Sequence, residues 1–579
     1  MKISAILFNQ FINKYIRFSK PVQIFCSKSI DDVPSVFSEI SKLINDGYCA
    51  AGFVSYEAAP AFDDALQVKQ SNHFPFCWFA VFNTYEIVDP LQTKNVHYEI
   101  RPWKPAIDEG KYRGDIRTIK WQLREGYTYQ VNYTYRLHSH FKGDPYSLFC
   151  DLIENQTTQN SAYIDTGDFV LCSASPELFF KLDGAQIECR PMKGTAPRGR
   201  YYEEDEQYKS WLHHSGKNRA ENAMIVDMIR NDLGRIAEIG TVRVQSLYEI
   251  ERYQTALQMT STVTAETNVS LWEIFSAMFP CASITGAPKA QTMKIISELE
   301  TTPRNIYTGT TGFVLPERKA QFNVAIRTVM IDRKNSTAEY GVGGGIVWES
   351  DEREEFQETQ IKSKILFERQ PQFQLLETIL WIPEDGYFLL EYHMKRIKAS
   401  AAYFDFHFSE SDIRENLESL VSKYTNEAHK IRLLVSKEGK FSTKITRIDI
   451  RKSSRPVHLK ISNVRVESSD PLLFHKTTHR NIFNKAKQMC GATCDDVVLV
   501  NERGEITETS IFNIVVNSNG NMLTPARDCG LLAGTFREWL IDQNRIKEAV
   551  LTPGDIEQCR EIFVINSVRK WQRAILIDK

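Results

Sequence analysis

No stretch of this 579-residue sequence approaches the ~18 consecutive apolar residues that a membrane-spanning helix needs. No block of like charge stands out either. The 71 basic and 73 acidic residues leave a formal charge of -2, so the sequence has neither the basic footprint of a nucleic-acid binder nor a polybasic membrane anchor. Cysteine supplies no framework. The 11 residues are scattered, and the nearest pair, Cys490 and Cys494, lacks the spacing and the histidine partners of a zinc site, so reduced structural thiols are expected. Internal repeats and low-complexity tracts are absent. The opening MKISAILFNQFINKYIRFSK carries an apolar run, Ile3 to Phe8, broken by Asn9, Gln10 and Asn13, with no small-residue cleavage site after it. It reads as a first strand rather than a targeting signal. These absences leave a soluble, cytoplasmic protein that acts on small molecules, with no nucleic acid and no membrane as partner.

What is present exceeds one hydrophobic core, since domains usually hold ~100–200 residues. The first half alternates strands and helices, among them a helix around Asp115–Arg124 and, after Gly126, a strand Tyr127–Leu137. The stretch Glu368–Gln372 breaks the pattern, and strand-like Phe373–Leu380 opens a new one. The boundary is placed at Pro371, giving domains 1–370 and 371–579. Beyond it come a hairpin-like pair around Glu384–Gly386 and a helix Tyr392–Phe404. Strands Asp496–Val500 and Ile506–Val516 follow, separated by the turn Asn501–Gly504. The expected class is a mixed α/β (α+β) two-domain chain.

In the first half, NRAENAMIVDMIRNDLGRI places Glu221 on the same helical face as Met224, Ile225 and Met228. An ionised carboxylate buried without a partner costs several kcal/mol, so Glu221 must pair with a base or hold a cation. A second helix, SDEREEFQETQIKSKILF, carries Glu355 and Glu358 one turn apart and continues into Ile361 and Ile365 on that face. Two helices with inward carboxylates suit Mg2+, which takes one or two protein carboxylates plus water and substrate oxygens; a salt bridge is the plainer alternative. Glycine-rich turns accompany them: Phe279–Lys289, Tyr307–Gly312 and GVGGGIV at Gly341–Val347. Such turns let backbone N–H groups approach an anion, and Arg327 adds a carboxylate clamp. GVGGGIV is not a dinucleotide fingerprint, because the helix and the downstream acid are in the wrong places.

SPELF (Ser175–Phe179), RPMKGTAPRG (Arg190–Gly199), AENAMIVDMIRNDLGR (Ala220–Arg235), SITGAPK (Ser283–Lys289), AIRT (Ala325–Thr328) and EEFQET (Glu354–Thr359) occur in an order that resembles the chorismate-utilising enzymes. That family includes anthranilate, isochorismate, salicylate and aminodeoxychorismate synthases. The resemblance covers roughly residues 110–365 and implies a two-sheet sandwich. PMKGT, with Lys193, resembles the aminodeoxychorismate type, in which that lysine is a nucleophile. By the resemblance, Lys193 adds to C2 of chorismate, Glu177 is the general acid for the departing hydroxyl, and ammonia is the amine donor. Glu221 and Glu358 are the implied Mg2+ ligands, with Glu355 close to the ion. Tyr307, Arg327 and the backbone of Gly343, Gly344 and Gly345 form the implied carboxylate pocket, with Ser283 and Thr285 also binding substrate. Gln258 stands where many relatives carry histidine, which argues against an anthranilate-type site. No G-x-C-x-G glutaminase elbow occurs, so a separate glutamine amidotransferase subunit is expected.

In the second half, HKTTHR places Lys476 before a helix, EITETSIFNIVV sets Glu508 within an apolar strand, and GLLAGTFR turns into a helix start suited to phosphate. With Arg396 in EYHMKRIKASAAYF, these resemble fold-type IV pyridoxal-phosphate enzymes, among them aminodeoxychorismate lyase and the branched-chain and D-amino acid aminotransferases. The resemblance implies that Lys476 carries pyridoxal 5'-phosphate, that Glu508 serves the pyridine nitrogen, and that Arg396, Thr535 and Phe536 hold the phosphate. It also implies a homodimer. The fusion points to 4-aminobenzoate, a folate precursor, made by amination of chorismate followed by loss of pyruvate. The alternatives are an anthranilate- or isochorismate-type synthase joined to an aminotransferase, or a non-catalytic second half that binds a partner.

Overall fold

A computed structural model describes residues 3–71, 73–88, 97–156, 158–367, 371–421, 427–449, 455–488, 490 and 494–577. The chain forms two compact units: residues 1–197 with 209–370, and residues 371–579 with the short segment 198–208.

The first unit is built on two large antiparallel sheets. Strands such as CAAGFV (Cys49–Val54) and CWFAVF (Cys77–Phe82) are buried along their whole length, because each is covered on both faces. Phe18, Ile164 and Leu171 of one sheet meet Phe53, Phe82 and Phe313 of the other in the core between them. Helices close the outer faces. Val33–Asn45, Gly216–Gly234 and Leu271–Met278 cover one sheet, and Glu109–Arg124, Pro145–Asn155 and Lys289–Leu299 cover the other. Among the described residues, no helix is long and apolar enough to cross a membrane.

Several expectations shift in detail. The helix expected around Asp115 begins at Glu109, where the Asp108 side chain accepts the Lys111 N–H as an N-cap. The strand expected at Tyr127–Leu137 runs from Gln130 to Gly143. In Gly216–Gly234 the core stripe is Asn222, Ile225, Val226, Ile229 and Leu233, so Glu221 sits at the edge of the buried face. Ile361 does not continue the inward face of Glu352–Ser363: it is exposed, while Ile365 is buried in a following 3-10 turn.

In the second unit, strands Gly386–Tyr387, Leu375–Ile382, His429–Val435 and Phe441–Arg447 form an antiparallel sheet in that order. Helices Leu390–Phe404 and Glu410–Val421 pack on it through Met394, Ile397, Ile413 and Leu417. An eight-stranded mixed sheet follows, with Val457–Val466 lying parallel to both Asp496–Asn501 and Lys570–Leu576. The single strand expected at Ile506–Val516 is two, Ile506–Thr509 and Asn513–Ser518. Local side-chain bonds win over the ladder there. The Ser510 hydroxyl donates to Asp496 at 2.5 Å, and the Phe512 N–H donates to the Thr509 hydroxyl at 2.9 Å. Cys490 and Cys494, expected reduced, form a disulfide with a Cα–Cα distance of 5.3 Å, within the reach of a bridge. The other nine cysteines are free thiols.

Candidate active sites

The first unit holds a cavity of about 510 Å³ where the ends of its two sheets meet two helices. Strand Met192–Pro197 delivers Lys193, with its pairing to Ala256–Glu266 irregular between Met192 and Thr195. Burial lowers the pKa of the Lys193 amine, and Lys362 adds to this against the opposing pull of Glu221 and Glu177. Burial disfavours the ammonium form, which raises the share of neutral, nucleophilic amine. Glu177 is 2% exposed and accepts the Met192 N–H at 3.4 Å. Burial pushes its pKa up to about 7, where a carboxyl group can hold and give a proton near neutrality.

Glu221, Glu355 and Glu358 line the same cavity. Burial raises the pKa of Glu221 and of Glu355, and the charge of Glu358 raises both further. Glu358 itself is held low by Lys362, its ion-pair partner at 2.7 Å. The Lys362 amine also donates to the Gly343 carbonyl at 2.9 Å. Glu355 accepts the Ser350 hydroxyl at 2.6 Å. Gly343, Gly344 and Gly345 pair with Thr134, Tyr133 and Asn132. A Cβ on Gly345 would meet the Lys193 amine and the Gln130 amide, so the strand passes close to both side-chain ends.

Tyr307, Arg327 and Ser283 also line the cavity. Arg327 has φ +50, an uncommon backbone for a bulky side chain, and its guanidinium bonds the Gln156 side chain. Thr285 does not line it: its hydroxyl turns back to the Cys281 and Ala282 carbonyls at 3.2 and 3.3 Å. Gln258 lines the cavity and accepts the Thr195 hydroxyl at 3.2 Å. Two further residues were not singled out in the sequence. Lys362 lies one helical turn after Glu358, a spacing at which such pairs form. Gln130 is fully buried, and neither end of its amide has a hydrogen-bond partner among the described residues; it too would meet a Cβ on Gly345. As one polar residue in a strand, it carries no sequence signal.

In the second unit, Lys476 is half-buried, and desolvation followed by the nearby Arg396 charge brings its pKa down to about 8. Glu508, 6% exposed, accepts the Leu532 N–H at 3.0 Å, and burial pushes its pKa up to about 7. Each perturbs the other's ionisation, so they share one site. Thr535 and Phe536 open helix Thr535–Asp542, whose N-cap, Gly534, supplies no side-chain acceptor for the first N–H groups. Arg396 is ion-paired with Glu377 at 2.7 Å and donates to the Ala533 carbonyl at 3.1 Å. Glu377 and His393, which pair with each other beside Arg396, are additions that the sequence reading did not make.

Residues 23–368, more than half of the chain, match the family described as chorismate binding enzyme. The chain belongs to that family. Residues 374–577 match amino-transferase class IV. The chorismate-binding half is 37% identical over 259 residues to aminodeoxychorismate synthase component 1 of Escherichia coli K12, which covers 44% of this chain and 57% of that protein. It is also 37% identical over 253 residues to anthranilate synthase component 1 1 of Haloarcula marismortui, covering 43% of this chain and 51% of that protein. The chain thus spans about half the length of these curated relatives, and identity alone does not separate the two chemistries. In fold, the crystal structure of anthranilate synthase component I from Streptococcus pneumoniae TIGR4 is similar at a TM-score of 0.51 and 23% identity, over 63% of this chain and 90% of that one.

The carboxylates of this cavity fit a hard cation in kind. The charge of Glu358 raises the proton affinity of Glu221 and Glu355, a crowding of negative charge that Mg2+ would relieve. Among the described residues they do not converge into a ready cluster, because Glu358 is engaged by Lys362 and Glu355 by Ser350. For pyridoxal phosphate the donor set fits: a half-buried amine, a buried acid, an arginine and a helix start with no side-chain cap.

Proposed function

We propose that the first unit aminates chorismate to 4-amino-4-deoxychorismate, and that the second removes pyruvate from that product to leave 4-aminobenzoate. One observation carries the first step: a half-buried lysine of lowered pKa faces the same cavity as a buried acid poised near neutrality. Lys193 adds to C2 of chorismate while both ring double bonds shift and the C4–O bond breaks, Glu177 giving its proton to the departing hydroxyl. Ammonia then bonds to C4, and the C2–N bond breaks to return the lysine. The net change is hydroxyl for amine at C4, with water released. Arg327 and Tyr307 hold the enolpyruvyl carboxylate, and Glu221, Glu355 and Glu358 would hold Mg2+ against the ring carboxylate. A separate glutamine amidotransferase supplies ammonia.

Held in the second unit, pyridoxal phosphate would supply an electron sink for a substrate amine. Lys476, with its lowered pKa, takes the proton from the amine-bearing carbon. Glu508 holds a proton at the pyridine nitrogen. Arg396 and the N–H groups of Thr535 and Phe536 would hold the phosphate, with the Thr535 hydroxyl beside them. Aromatisation of the ring drives pyruvate out.

Lys193 and Gln258 favour this reading over an anthranilate-type synthase. Replacing Lys193 with Ala should end amination of chorismate while supplied aminodeoxychorismate is still converted to 4-aminobenzoate. Native amination by that variant would sink the covalent route.

A further inference from the structure

Arg396 does not approach the proposed phosphate site freely. Its Nε and Nη2 donate to the two oxygens of Glu377 at 2.8 and 2.7 Å, and its Nη1 donates to the Ala533 carbonyl at 3.1 Å. A guanidinium has five N–H donors in a rigid plane, so three are committed and two remain for a ligand. Glu377 is 1% exposed, on strand Leu375–Ile382, and its partner is on helix Leu390–Phe404, so the pair joins the two elements. The same carboxylate takes Nδ1 of His393 at 2.6 Å, and Nε2 of that fully buried ring lies 3.3 Å from the Thr535 hydroxyl. One carboxylate therefore holds Arg396 directly and fixes the His393 ring, whose Nε2 accepts the Thr535 hydroxyl at the start of the helix.

We propose that Glu377 is a positioning residue that sets the affinity of the second unit for the phosphate group of its cofactor. The inference rests on the pyridoxal-phosphate reading above. Glu377 stays ionised in this setting, because Arg396 and His393 overcome the effect of burial and hold its carboxyl well below the usual range. A guanidinium fixed in advance loses less freedom when it binds phosphate, and that saving appears as affinity. Pyridoxal, which lacks the phosphate, gains nothing from it.

The test compares pyridoxal phosphate with pyridoxal, titrated into full-length protein stripped of cofactor, for the native chain and Glu377→Gln. The glutamine keeps the shape but loses the charge and one acceptor oxygen. The preference of the native chain for the phosphorylated form should fall by about 10-fold or more in the variant, with pyridoxal affinity nearly unchanged. An equal fall for both ligands, or an unchanged or increased preference, would overturn the proposal, since a merely structural role weakens both alike. If Glu377→Gln does not fold, Glu377→Asp, one methylene shorter, carries the same prediction. A native chain that binds neither ligand saturably would sink the cofactor reading, and this inference with it.

Discussion

Replacing Glu177 with Gln should make the first unit more stable in alkaline solution and unable to aminate chorismate. Burial takes the Glu177 pKa from 4.5 to about 7 in the folded chain. The protonated form is the one the fold favours, so its contribution is fully present below about pH 4.5 and lost as pH rises through about 7. At 1.36 kcal/mol per unit, a shift of this size corresponds to about 3 kcal/mol that the native chain has lost by pH 9 and that a glutamine never loses. The side chain is 2% exposed, so solvent screening discounts little of this. The amide oxygen can still accept the Met192 N–H. Calorimetry of the chorismate-binding transition from pH 5 to pH 9 gives the comparison. Other groups that titrate in this range, such as Glu57 at about 8, appear in both proteins and cancel. A stability difference that stays flat across this range would refute the argument from burial. Native amination by Glu177→Gln would refute its role as an acid.

Glu358→Gln and Glu221→Gln should each raise the Mg2+ concentration needed for amination by roughly 10-fold or more, since one lost charge near a cation is worth at least ~1.4 kcal/mol; activity that persists in EDTA would count against the metal. Borohydride should fix pyridoxal phosphate covalently to the native chain and not to Lys476→Ala, as mass spectrometry of the intact protein would show. With chorismate and ammonia, Lys476→Ala should accumulate aminodeoxychorismate, and pyruvate release at the native rate would refute its assignment.

Residues whose roles depend on local motif were the ones legible in the sequence. Lys193 stands out because PMKGT resembles the aminodeoxychorismate type of this motif, and the cavity that receives it also receives Glu177, Glu221, Glu355 and Glu358. Helical periodicity placed Glu221 on a buried face, whereas the true stripe is rotated toward Asn222 and Val226. A hydrophobic pattern cannot tell an edge facing a cavity from a face in the core. Thr285 was drawn into the site by its motif, yet its hydroxyl satisfies the carbonyls of its own turn. Glu377 was invisible for a different reason. In QLLETILW it reads as the polar member of a strand, and only the fold brings His393 and Arg396 against it. Gln130 and Lys362 likewise gain meaning from Lys193 and Gly343, which lie far away in sequence.

The most direct test of the whole account is one incubation of the full chain with chorismate, an ammonium salt, Mg2+ and pyridoxal phosphate, with the products separated and weighed. The account predicts 4-aminobenzoate and pyruvate in equal amounts, with 4-amino-4-deoxychorismate accumulating when pyridoxal phosphate is withheld. Formation of 2-aminobenzoate in its place, or release of pyruvate undiminished without pyridoxal phosphate, would contradict it.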